Sequence, residues 1–476
     1  MSLTKAQRVE DIFKAFDPAP LSKPADLTSF YVHELNETRG SDKIKVLALG
    51  LKRQHRRGFY KAFVMGHAGV GISTELSRLE ADVSSQFRTL RLSANADLDP
   101  VNFKPFDVIL RIALGLAEET AKPITEGGAG SPLPEALTRE LLDWFAVEKT
   151  TVKKGYYVTV KADGGIKPPA AALWEKLLGL NASLKLEAKR ASGRSKEVIE
   201  YREKNVGQLT ELANKVLIDC NTRLRTATGH EWLVICDDFD KPGIPETRIT
   251  EFFLTYGNIL SDLACHLILD LPIGLGHSSR SNQLPAKFDG PHNFPDTPVY
   301  KKDHTPHTKG RAALRQVIEH RMDPALFAKG QQERLIVASG GNLRDLFTLI
   351  VAASTNAELR QPSPEKITKS DVDAAINDLR KEYRDHLGET NYDVEKPKLE
   401  DKLAKLTGIY VGKPEAELRD PALYSLLHAR AVQEFNGISW FGVHPLTVDF
   451  LNNLQDNAAL APLRDPRTKL LPGGSI

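Results

Sequence analysis

The sequence predicts an α/β fold: a parallel sheet whose first strand runs into a glycine-rich loop, followed by helical segments and a C-terminal hairpin. Three observations lead there. "FYKAFVM" (59–65) runs through the turn "GHAGVG" into the helical pattern "STELSRLEADVSSQF" and out to "FRTLRLSA" (87–94). Strand, turn, helix and strand make a βαβ unit, whose crossover helix makes the two strands parallel. "EWLVICDDFDKPG" (231–243) is an apolar run that stops at two carboxylates, as a central strand does at its C-terminal edge, and "HLILDLPIGLG" (266–276) is a second such strand.

The bulk numbers are those of a globular protein of two or three domains. The chain has 476 residues, 41% hydrophobic and 26% charged, too many for one ordinary core. Its 64 basic and 62 acidic side chains leave a formal charge of +2, so any polyanion site must be local. Cys220, Cys236 and Cys265 are odd in number and set in apolar surroundings, which fits reduced, buried thiols and a cytoplasmic setting. No run approaches a membrane span and "MSLTKAQRVEDIFKAF" has no signal-peptide core, so the expectation is no membrane partner.

In chain order, residues 1–57 form a lead-in that ends in the amphipathic helix "SDKIKVLALGLKRQHRRG" with its basic cluster (52–57). Residues 58–310 make the sheet domain. Within it, 121–205 reads as an insertion: a helix at "EALTRELLDWFAVEK", a hairpin strand at "GYYVTV" and a long polar helical stretch. Leu209, Leu212, Val216, Leu217 and Cys220 then share one helix face, which should pack on the sheet. The Pro-, His-, Asn- and Gly-rich stretch 278–310 reads as an exposed loop with one short strand at "TPVYKK". Residues 311–366 form a helical lid, and 367–476 a helical tail ending in a hairpin turned at Asn436-Gly437.

The chemistry concentrates in two motifs. Gly66, Gly71 and Ser73 occupy fixed positions of the template G-x-x-x-x-G-K-[ST], and His67, Ala68, Gly69, Val70 and Thr74 complete the loop. Glycines there let backbone N–H groups curl around phosphate oxygens, and the next helix adds its positive end. Ile72 stands where the template has lysine, so the ammonium that bridges the β- and γ-phosphates is missing. Charge-assisted hydrogen bonds contribute about 1.5–3 kcal/mol each, so its loss should weaken nucleotide binding about ten- to a hundredfold, and hydrolysis more. In "LVICDD", Asp237 sits where a carboxylate holds magnesium, together with the Ser73 hydroxyl, and Asp238 where one orients or deprotonates the attacking water.

With both motifs in place, the chain resembles the bacterial P-loop ATPases of the broad AAA-like class, which includes STAND ATPases, KAP-type proteins and origin-recognition-like ATPases. "GHAGVGISTEL" resembles their usual "GHRGSGKSTEL", and "LVICDDFDK" their aspartate-rich Walker B strand. "LILDLPIGL" looks like the sensor strand, with Asp270 replacing the usual neutral polar residue. "RQVIEHRMDPALF" and "ASGGNLRDL" resemble the lid helices, with Arg344 in the place of the second sensor arginine. The resemblance spans roughly 30–354, and the tail is similar to a winged-helix module. It implies ATP or ADP and magnesium as cofactors, and a nucleotide-dependent switch or assembly factor, in a homo-oligomer or with a separate effector protein, possible in bacterial defence or signalling. Arg280, Arg315 and Arg321 are then candidates to act on a neighbour's nucleotide, and Arg344 or the 52–57 cluster to stand in for the lysine.

Two other readings stand beside it. A non-catalytic scaffold or DNA-binding adaptor would keep the fold and use the tail, where Arg430, Phe435, Trp440 and Phe441 cluster. An active ATPase would use a substitute base. The basic run 185–204 has interleaved acids and reads as a solvated helix face, and "DHTPH" (303–307) as loop histidines rather than a metal site.

Overall fold

In the computed structural model, residues 3–151, 170–241, 243–388, 396–435, 440–448 and 451 are described. Five strands form one sheet: β1 (Lys61–Gly66), β2 (Phe87–Ser93), β3 (Glu231–Asp237), β4 (His266–Asp270) and β5 (Asp289–Phe294), in the order β2-β3-β4-β1-β5. Every pairing in it is parallel. All C-terminal ends therefore meet at one edge, where α/β sheets bind their ligands. Register fixes the neighbours there: Ser93 lies beside Asp237, and Asp270 beside Val64.

Both faces of the sheet are covered, so β1 and β3 are buried at every residue, as parallel strands between helices must be. The two-residue side-chain period divides β1. Ala62 and Val64 face α1 (Lys43–Gln54) and α2 (Ile72–Val83) in one core with Ile44, Leu47, Leu76 and Leu79. Phe63 and Met65 join the opposite core with α3 (Pro105–Ala121) and α7 (Val206–Thr228). Leu209, Leu212, Val216, Leu217 and Cys220 are all buried there.

Between these helices run α4 (Glu135–Thr151), α5 (Ala170–Lys189) and α6 (Lys196–Lys204). The "GYYVTV" segment lies outside the described residues. The run 185–204 is not simply a solvated face. Arg194 and Arg202 are interior, paired to Asp107, Glu187 and Glu148 at 2.6–2.7 Å. Each buried guanidinium is matched by carboxylates, as burial of charge requires.

The stretch 278–310 also departs from its reading as a loop. Its strand is β5, "DGPHNF", at the edge beside β1, rather than "TPVYKK". An edge strand tolerates Pro291, because one side of its backbone needs no partner.

The lid comprises α8 (Thr308–Arg321), α9 (Gln331–Ala338) and α10 (Leu343–Arg360), with α11 (Lys369–Asp385) packed on it. The lead-in belongs to this same core: Ala6, Val9, Ile12 and Phe16 pack with Leu314, Ile318 and Phe347. The tail adds α12 (Leu399–Tyr410), α13 (Pro421–His428) and the antiparallel pair β6 (Val432–Phe435) and β7 (Trp440–Val443). The residues that join these two strands, Asn436-Gly437 among them, are outside the described set. Among the described residues no helix is long and apolar enough to cross a membrane. The three cysteines are buried free thiols.

Candidate functional site

The loop after β1 turns on a Val70 N–H bond to the His67 carbonyl at 3.0 Å. Gly69 and Gly71 have φ of 93° and 103°, values that a side chain disfavours. At Gly69 the crowding is also tertiary: a Cβ would lie 2.5 Å from the Arg344 Cβ and 2.6 Å from Asn342 Oδ1. The loop thus abuts the start of α10. Arg344 N–H donates to the Gly69 carbonyl at 3.1 Å, and Asn342 Nδ2 to the Ala68 carbonyl at 3.2 Å. Asn342 Oδ1 also caps α10 by accepting from the N–H groups of Arg344 and Asp345. Gly71 caps α2, and the N–H groups of Gly71, Ile72 and Ser73 find no acceptor among the described residues.

Each loop side chain has a definite place. Ile72 is 6% exposed and joins the core of Ile44, Val64 and Leu76, beneath the loop. The Thr74 hydroxyl accepts from the Leu21 N–H at 3.1 Å, so the N-terminal segment crosses the loop. His67 is buried and kept neutral by desolvation, and its Nε2 accepts from the Glu434 N–H at 3.3 Å. That bond ties the loop to β6.

The acidic end lies at the tips of β2, β3 and β4. Asp237 Oδ1 accepts from the Asp238 N–H at 2.8 Å, and its Oδ2 is held by Arg91 Nη2 at 2.7 Å. Arg91, on β2, also donates to the Ser73 carbonyl at 3.0 Å and to Ser77 Oγ at 2.9 Å. Asp238 has φ of 71°, accepts from Ser93 Oγ, and lies 3.4 Å from Lys241 Nζ. Asp270 is buried, and desolvation together with the charge of Asp240 pushes its carboxyl well above the usual carboxylate range. The carboxyl of Asp240 beside it is raised as well, by desolvation first.

These residues line one cleft of about 620 Å³, with Arg39, Arg321 and Arg344 also in its wall. That volume suits a nucleotide-sized ligand. Its other end is apolar, with Phe30, Val32, Leu35, Val317, Leu343 and Phe347. Tyr31 and Arg39 brace the wall between the ends. Tyr31 donates to Glu75 and accepts from Asn36 and Arg78, while Arg39 donates to the Val70 carbonyl at 3.0 Å and to Thr297 at 3.1 Å. Arg39, Tyr31 and Arg91 escaped the sequence reading. Arg91 alone left a signal, a basic residue near the end of a strand that must finish beside the loop.

The other candidate cations divide between the cleft wall and distant positions. Arg56 donates its N–H to Glu231 at the start of β3, about 20 Å from the carboxylate end at 3.3 Å per residue. The 52–57 cluster therefore does not reach the loop within this chain. Arg321 is 4% exposed, donates to the Ala15 carbonyl and lies over Phe30 and Phe347; an interior guanidinium cannot reach a neighbouring subunit. Arg280 pairs with Glu246 and Arg315 with Glu333 within the chain. Arg344 is half-buried in the cleft wall, and its guanidinium has no hydrogen bond or ion pair among the described residues. His304 and His307 bond to the Tyr410 carbonyl and the Gly310 N–H.

The donor set fits a polyphosphate: loop N–H groups, Arg344 and Arg91. It fits magnesium poorly, because both Asp237 oxygens are engaged and one is held by a guanidinium. Among the described residues no group of three or more His, Cys, Asp or Glu side chains is arranged to hold a metal ion.

No family model matches the chain, and no curated protein matches it. Among solved structures it is similar to a Walker-type ATPase of Pyrococcus abyssi, at 14% identity and a TM-score of 0.39, covering 92% of this chain and 99% of that one. The fold rests on the strand order and loop geometry, not on so slight a likeness.

Proposed function

We propose that the chain is an ATP-binding protein of the AAA-like ATPase class, a nucleotide-dependent switch whose hydrolysis is weakened by Ile72. The observation that carries this reading is the seam between loop and lid, where Asn342 and the Arg344 N–H bond to the carbonyls of Ala68 and Gly69. A ligand held by the loop is thereby sensed by α10. The N–H groups of Gly71, Ile72 and Ser73 would take the phosphates, Arg344 would add charge from the lid, and the apolar end would take the base. Asp238 would orient the attacking water, its carboxylate fixed by Ser93. Without an ammonium at position 72, less charge meets the transition state than the ground-state contacts provide for.

Action as an oligomer or with an effector protein belongs to this reading as the family resemblance implies it; magnesium at Ser73 and Asp237, which the resemblance also implies, is not built into it, because the Asp237 oxygens are already engaged. The adaptor reading is less well supported. The inner hairpin strand is engaged within the chain, with Gln433 donating to Asp296 and the Glu434 N–H to His67, which gives the adaptor reading less support.

Binding of a fluorescent ATP analogue and phosphate release test the proposal. Saturable binding with slow release, further reduced in Asp238→Asn, is expected. Absence of binding, combined with duplex DNA retention that falls steeply with salt, would favour the adaptor.

A further inference from the structure

We propose that Arg91 occupies the role that a divalent cation plays in other phosphate loops, so that the cleft takes its nucleoside triphosphate without metal. The inference rests on the nucleotide reading above. The carboxylate expected beside a metal is already matched by a cation of the chain, Asp237 by Arg91 at 2.7 Å, and its neighbour Asp238 lies 3.4 Å from Lys241. Magnesium demands a nearly ideal octahedron of oxygens and gives up its water reluctantly. A guanidinium in contact with its main carboxylate opposes it by charge as well as by space.

Arg91 is also well placed for the alternative. It is anchored to the loop helix through the Ser73 carbonyl and Ser77 Oγ, and is fixed from behind by β2. Its side chain keeps 28% exposure and lines the cleft. A guanidinium has five donors in a fixed fork that matches phosphate oxygens; Nη1 bonds Ser77 and lies 3.6 Å from Glu80, Nη2 bonds Ser73 and Asp237, and Nε, which has no bond among the described residues, is left for a phosphate. Arg91 and Arg344 then face the polyphosphate from the sheet and from the lid, replacing the pair of positive charges that lysine and metal would supply.

Equilibrium binding of a fluorescent ATP analogue to the full chain, in magnesium and in EDTA, tests this. EDTA should change the affinity by less than about threefold. Arg91→Met, which keeps the stem and removes the charge, should weaken metal-free binding about 10- to 100-fold. Asp237→Asn gives an opposite sign: it frees Arg91 and should tighten metal-free binding about three- to tenfold, whereas loss of a metal ligand would weaken binding. Circular dichroism confirms that each variant is folded, and the Asp237→Asn result stands if Arg91→Met is not. Binding that requires magnesium, or that weakens in Asp237→Asn, overturns the proposal and leaves the nucleotide reading intact. No binding in either buffer overturns both.

Discussion

Replacing Ile72 with lysine restores the loop template but puts an ammonium where the structure has a core side chain. Ile72 is 6% exposed and packs with Ile44, Val64 and Leu76. Burial of an isoleucine side chain contributes about 1.5–3 kcal/mol. The lysine stem recovers part of that, while its charge sits at the positive end of α2, at an unfavourable cost of about 0.3–1 kcal/mol. With part of the burial recovered by the stem, the nucleotide-free Ile72→Lys protein should be destabilised by about 1–3 kcal/mol, which lowers Tm by about 2–12 °C for a domain of this size. Ile72→Met, close in volume, should cost less than about 1.5 kcal/mol. Thermal melts followed by circular dichroism, without nucleotide, read both. Excess ATP should raise the Lys variant more than the parent, by its tighter binding to the folded state. An Ile72→Lys protein that melts with the parent in the absence of nucleotide would refute the placement of Ile72 in the core.

Three further outcomes concern the seam and the tail. Gly69→Ala combines a φ of 93° with a Cβ 2.5 Å from that of Arg344; a stability loss of about 1–3 kcal/mol is expected from melts. Arg430→Met leaves Asp345 without its 2.6 Å partner and should cost about 2–3 kcal/mol, less than a fully buried pair because Arg430 keeps 18% side-chain exposure; adding Asp345→Asn should recover part of it. His444 is buried against Tyr383, with Asp345, Arg430 and Asp296 around it, and desolvation lowers its pKa to about 4. Because the folded value lies below the unfolded one, the stability it leaves intact above about pH 6.5 is lost as the pH falls towards 4, by up to about 3 kcal/mol. His444→Phe should flatten that part of the Tm profile, and an unchanged profile would contradict the assignment.

What the sequence made legible was local. The loop, α2 and the strand ends at Asp237 and Asp270 follow from glycine spacing and from apolar runs that stop at charge, signals contained within about ten residues. β5 was hidden because "DGPHNF" lacks β-branched residues; its strand form comes from pairing with β1 rather than from propensity. Arg91 was hidden because its meaning depends on register across β2 and β3, which brings it from 146 residues away to Asp237. The burial of Ile72 and the crossing of the loop by Leu21 are likewise tertiary facts. A lysine position read from a motif says what is missing, and only packing says what fills the space.

Hydrogen–deuterium exchange of the full chain with and without ATP tests the central claim most directly, because it reads the loop amides themselves. The account predicts that ATP slows exchange across 69–74, where N–H groups gain phosphate acceptors, and across 342–345, which bonds to the loop. Protection confined to other parts of the chain, or none at saturating ATP, would contradict it.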